Sequence, residues 1–71
     1  MQYKNKTIGR KIKTHRESKK LTQRELAEFV NLDYQAISRI ELGKQIIKAE
    51  DLFDIAGVLG VCIYDFGTMN N

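Results

Sequence analysis

Residues 21–44 read LTQRELAEFVNLDYQAISRIELGK. Thr22-Gln-Arg-Glu25 has the form of a capping box: the Thr22 hydroxyl accepts from an early backbone N–H, and the Glu25 carboxylate reaches back to the Thr22 N–H. Leu26, Ala27 and Val30 then share one face, so a short helix is predicted to end at Val30. Asn31, the non-glycine residue best suited to a left-handed turn, follows it. Leu32 is apolar and suits a plug into the core. Asp33 is placed to cap the next helix with its carboxylate, close to the free N–H groups. That helix is predicted over Tyr34 to Leu42, with Ile37 and Ile40 inward and Gly43 as its stop. It opens on Tyr34-Gln35, bare polar side chains that read as facing another molecule.

The flanks are helical too. Ile8 and Ile12, four apart, give a buried stripe to a first helix over Thr7 to Ser18, with Lys11, Lys13 and Glu17 outside and a polar break at Ser18-Lys-Lys. Leu52, Ile55, Ala56 and Leu59 follow the i, i+3, i+4, i+7 rule in a fourth helix over Ala49 to Leu59, which Gly60 ends. Val61, Ile63 and Phe66 suggest a last turn from about Cys62 to Phe66, and residues 67–71 are expected to fray. No stretch keeps the two-residue period of a strand. The expected fold is all-α: a compact bundle of four to five short helices in one domain, residues 1–71, with its core between about residues 7 and 66.

At 71 residues the chain sits near the lower end of what folds without staples. With one cysteine it has neither an internal disulfide nor a Cys-rich metal framework. It is 42% hydrophobic and 30% charged, as globular domains are. No apolar run approaches the roughly 18 residues of a membrane span, and the basic start MQYKNKTIGRKIK lacks the apolar block of a secretory signal. No membrane association is expected, and the cytoplasm is the expected compartment. The net charge of +3 is distributed unevenly. Residues 1–20 carry Lys4, Lys6, Arg10, Lys11, Lys13, Arg16, Lys19 and Lys20 against Glu17, while after Lys48 there are only acids: Glu50, Asp51, Asp54 and Asp65. Such asymmetry suits one face meeting an anion, although a solvated basic helix has the same composition. No Ser-His-Asp set, metal-spaced His/Cys cluster or Gly-rich phosphate loop occurs, so neither enzymatic activity nor a metal, cofactor or small-molecule ligand is expected.

Two short helices joined by a tight turn, the second opening with exposed hydrogen-bonding side chains, describe a helix-turn-helix. The ordered set IGRKIKTHRE (8–17), LTQRELA (21–27), AISRIELGK (36–44) and LFDIAGVLGV (52–61) resembles the lambda-repressor-like, or Cro/repressor (XRE), family, and the likeness runs without a gap over about residues 7–66.

The resemblance implies roles residue by residue. Gln23 matches the glutamine that grips a phosphate and braces the recognition helix in that family. Tyr34, Gln35, Ser38 and Arg39 take the outward positions of the helix that lies in the major groove, where Gln can pair with adenine and Arg with guanine O6 and N7. Ser38 is the weakest of the four. Lys44 resembles the basic residue that ends the recognition helix on a phosphate, and Arg10, Lys11 and Lys13 are weaker phosphate candidates. Arg16 and Glu41 match a partly buried ion pair between the first and third helices, with the arginine also near a phosphate. His15, beside it, reads as a surface residue.

The partners implied are double-stranded DNA with a two-fold related operator and a second copy of the chain, because one small module makes few base contacts. Val58, Tyr64, Phe66 and Met69 form the expected dimer surface. The expected function is a sequence-specific transcriptional regulator. An antitoxin-like protein-interaction module and a restriction-modification controller stand as alternatives. The chain departs from the family pattern at Ile47-Lys48, where Pro-Ser is usual, and Ile46 and Ile47 could then meet a partner. Cys62 stands where a serine often caps the last helix: a half-buried inert thiol, or a redox-sensitive one.

Overall fold

The computed structural model describes residues 6–66. Helices α1 (Lys6–Ser18), α2 (Gln23–Val30), α3 (Tyr34–Glu41) and α4 (Ala49–Leu59) are followed by a 3-10 turn, Ile63–Phe66. No strand occurs among the described residues. α3 is packed against both α1 and α2; α2 also packs on α4, and the 3-10 turn closes against α1 and α4. Helix ends fall within a residue of the positions read from the sequence, the usual tolerance for frayed termini.

The core is Ile8, Ile12, Leu26, Ala27, Val30, Ile37, Ile40, Leu52, Ile55, Ala56, Leu59 and Phe66, with Leu21, Leu32, Ile47, Val58, Val61 and Ile63 half-buried around it. Full burial of one such aliphatic side chain is worth roughly 1.5–3 kcal/mol. No one helix could bury its stripe alone, so the helices form together.

Among the described residues four are left-handed: Lys20 (φ 60°), Asn31 (φ 58°), Gly43 (φ 76°) and Gly60 (φ 71°). After each, the chain folds back onto the helix it has left: Leu21 N–H donates to the Arg16 carbonyl (3.1 Å), Leu32 to Ala27 (3.0 Å), Lys44 to Arg39 (2.9 Å) and Val61 to Ala56 (3.0 Å). These are Schellman closures, which satisfy carbonyls that a helix end leaves open. Asn31, Gly43 and Gly60 are residue types that tolerate the geometry. Lys20 is not, and nothing in the polar run Ser18-Lys-Lys singles it out.

Gly9 has a different reason to be glycine. A Cβ there would stand 2.1 Å from the Ile40 carbonyl oxygen and 2.9 Å from that of Glu41. α1 and α3 thus touch backbone to backbone, which fixes the angle at which α3 leaves the bundle.

Several sequence expectations are corrected. Phe66, expected on a dimer surface, is 1% exposed. It plugs the base of the bundle because the 3-10 turn directs it inward, edge-on to the His15 ring (centroids 5.8 Å apart, planes at 81°). His15 is therefore half-buried rather than a plain surface residue. Asp33 holds the cap position of α3 but makes no side-chain cap bond. Ile47 packs against the core, which leaves only Ile46 of that pair exposed. Cys62 is exposed, not half-buried, and its backbone N–H donates to Asp65 Oδ2 (3.2 Å), the carboxylate half of a capping box. Met69 and the tail 67–71 lie outside the described residues.

Candidate nucleic-acid interface

α2 and α3 are fixed to one another, and to α1, by a buried polar network. The Thr22–Glu25 box starts α2: Glu25 N–H donates to Thr22 Oγ1 (3.0 Å) and Thr22 N–H to Glu25 Oε1 (2.8 Å). Gln23, the first residue of α2, then lies within reach of Glu41 at the end of α3, and its Nε2 donates to Glu41 Oε1 (2.9 Å). Arg16, from α1, grips the same carboxylate with two of its three guanidinium nitrogens: Nε to Oε2 (2.7 Å) and Nη2 to Oε1 (3.1 Å). The third, Nη1, donates to the Leu21 carbonyl (2.7 Å) in the turn before α2.

Arg16 is 7% exposed and Glu41 8%, so this is a buried, bidentate, charge-assisted pair. The hydrogen bond with Glu41 raises the Arg16 pKa above its ordinary value; burial pulls the other way, and the Glu41 and Glu17 charges add to the rise. No buried side-chain N or O among the described residues lacks a partner. One carboxylate thus ties three elements together, and each buried polar atom has a partner, which is the condition under which a buried polar network specifies a geometry.

Two shallow grooves flank this pair. Arg16, Leu21, Thr22, Gln23, Arg24 and Tyr34 line one. Lys6, Arg10, Lys13, Glu41 and Leu42 line the other. Basic side chains of α1 therefore converge with the end of α3, while the N-terminal end of α2 meets the start of α3. Gln23 is half-buried through its bond to Glu41, and its amide keeps a second N–H.

On α3, Tyr34, Gln35 and Arg39 are exposed and Ser38 is half-buried. Arg24 lies over the Tyr34 ring, its guanidinium carbon 4.1 Å from the centroid, a cation–π stack that holds the ring at the front of the helix. Arg39 Nε donates to Gln45 Oε1 (2.7 Å) across the turn at Gly43. Lys44 is exposed in that turn. The sequence reading assigns Arg24, Lys6 and Gln45 no individual role in the site. Each joins the site through a contact between different elements, for which a linear pattern carries no local sign.

An exposed polar helix, braced from behind and bordered by cations, is the form of a helix-turn-helix DNA-binding domain. A helix-turn-helix family model matches residues 12–65, and the chain belongs to that family, of XRE-type DNA-binding regulators. Among solved structures it is similar to the clp gene regulator ClgR from Corynebacterium glutamicum (28% identity, TM-score 0.83), where the likeness covers 86% of this chain and 65% of that one. It is also similar to SinR, the master regulator for biofilm formation, in complex with DNA (30% identity, TM-score 0.79, 83% of this chain and 95% of that one). The restriction-modification controller protein C.AhdI from Aeromonas hydrophila shares the fold at 21% identity (TM-score 0.82, 86% of this chain and 92% of that one). No curated protein matches the chain by sequence. No helix among the described residues is long and apolar enough to cross a membrane.

Proposed function

We propose that this chain is a sequence-specific DNA-binding transcriptional regulator that places α3 in the major groove of a two-fold related operator as a homodimer. The observation that carries the reading is the Arg16–Glu41–Gln23 network, which spends a buried carboxylate on holding the exposed face of α3 in one orientation. In this reading Gln35 and Arg39 contact base edges, with Tyr34 at the groove wall and Ser38 in a minor role. Gln23, Lys44, Arg10 and Lys13 contact phosphates, and Arg16 does so only through the small part of it that is exposed. The ligand is the duplex itself and no catalytic step is involved.

The dimer surface proposed is Val58 with Tyr64, the latter 81% exposed. Val58 also borders a groove with Phe29 and Phe53, which are 66% and 59% exposed. These aromatics favour a second reading as well, in which a protein partner docks there, as it would on an antitoxin-like module. Sedimentation at tens of micromolar separates the two: the first reading requires a dimer of this chain alone.

Two substitutions test the groove assignment. Arg39→Ala should relax preference at one base pair, at a cost of about 1–3 kcal/mol. Lys44→Ala should weaken binding to all sequences alike and flatten the salt slope by about one phosphate. Identical behaviour of the two variants would refute the division into base and phosphate contacts.

A further inference from the structure

Arg39 is held from the side. Its Nε donates to Oε1 of Gln45 at 2.7 Å, and Gln45 is half-buried whereas Arg39 is exposed. The backbone brings them together: Gly43 N–H donates to the Ile40 carbonyl (3.0 Å) and Lys44 N–H to that of Arg39 (2.9 Å), so the chain turns back over the last turn of α3. Two residues further on, Ile47 is seated against the core, which anchors the loop carrying Gln45.

We propose that Gln45 is a specificity-determining positioning residue, which holds the Arg39 guanidinium by Nε and presents its Nη1–Nη2 edge to a single guanine. This rests on the reading that α3 enters the major groove. Guanidinium offers planar donor pairs, and guanine offers N7 and O6 as a matching pair of acceptors. Either the Nε/Nη2 side or the Nη1/Nη2 end can fit that pair. With Nε engaged by Gln45, the end remains, and the approach direction of the arginine is set before DNA arrives. A side chain already held loses less freedom on binding, so the gain falls on the contact that needs that geometry. The amide suits the task better than a carboxylate. It accepts one hydrogen bond without neutralising Arg39, and no ionised group competes with the base for the guanidinium. Among the described residues no salt bridge to Arg39 is present.

The test begins with the duplex recovered by selection from random sequence. Every base pair of the half-site is varied, and dissociation constants are measured for the unaltered protein, Arg39→Ala, Gln45→Leu and the double variant. Thermal unfolding of each variant establishes that it folds. Gln45→Leu keeps the volume of the side chain and removes the acceptor. The expected result is that Arg39→Ala abolishes the preference at one base pair. Gln45→Leu then lowers the preference at that same pair by roughly two- to tenfold, the worth of one hydrogen bond. Preferences elsewhere and the salt slope stay unchanged, and the double variant discriminates no worse than Arg39→Ala. Loss of affinity for all sequences alike under Gln45→Leu, or an intact preference at the Arg39 pair, overturns the proposal while leaving α3 in the groove. If Arg39→Ala alters no preference at any position, the groove reading falls and takes this one with it.

Discussion

Replacing Glu41 by glutamine removes one charge from the centre of the network and leaves its volume almost unchanged. The Glu41 side chain is 3% exposed and accepts three hydrogen bonds, two from Arg16 and one from Gln23. In Glu41→Gln an amide nitrogen replaces one acceptor oxygen, so a donor faces a donor of Arg16. The arginine, whose side chain is 9% exposed, then keeps the surviving amide oxygen and the Leu21 carbonyl as acceptors, with its nearest carboxylate that of Glu17 at 3.9 Å. Breaking a buried pair from one side costs about 3–5 kcal/mol, because the remaining charge is stranded. At roughly 0.05–0.15 kcal/mol per residue, a chain of 71 residues has about 4–11 kcal/mol in all. Glu41→Gln should therefore lower the midpoint of thermal unfolding by more than about 12 °C, or leave the chain largely unfolded at room temperature. Arg16→Met with Glu41→Leu removes both charges and should recover most of that loss. Even when folded, the double variant should bind DNA less well, since Gln23 loses the carboxylate that orients it. The arginine side of the pair has a simple pH dependence. A raised pKa means its stabilisation is whole below the ordinary arginine value and is lost only as pH climbs through the higher folded value. Circular dichroism melts of the three proteins decide the matter. A Glu41→Gln loss below about 1 kcal/mol, the worth of an exposed pair, would refute the claim that this network sets the orientation of α3.

Two further substitutions probe the backbone that carries the site. Gly9→Ala drives a methyl into the Ile40 carbonyl and forces α1 and α3 apart, so denaturant unfolding should register a loss of about 1–3 kcal/mol or more, larger than any exposed glycine-to-alanine change would give. Lys20→Gly relieves a left-handed residue with a side chain, and despite the extra freedom it gives the unfolded chain it should stabilise the domain by about 0.5–1 kcal/mol in the same assay.

The elements that the sequence made readable are those set by neighbours along the chain. The Thr22–Glu25 box spans four residues, and Asn31, Gly43 and Gly60 are residue types chosen for left-handed turns, so helix ends could be placed without any tertiary information. Burial of Phe66 could not be read this way: an aromatic residue near the end of a chain suits a core or an interface equally, and the 3-10 turn decides between them. Lys20 was hidden because a left-handed lysine has no compositional mark. Asp33 misled for the opposite reason, since a good capping residue type does not guarantee that its carboxylate turns towards the helix. In the site, Arg16 and Glu41 lie 25 residues apart and could be paired only through resemblance to a family. Arg39–Gln45 and Arg24–Tyr34 depend on how an exposed side chain lies across a turn or a helix interface, which no periodicity records.

The proposed function requires that the exposed face of α3 read a duplex. Fluorescence anisotropy of the purified chain against labelled random-sequence and selected duplexes, titrated across ionic strength, tests it most directly. Binding to both is expected at low salt, with a steep decline as salt rises and a preference for the selected duplex that Arg39→Ala reduces. Failure to bind either duplex at low ionic strength by a folded protein would contradict the proposed function.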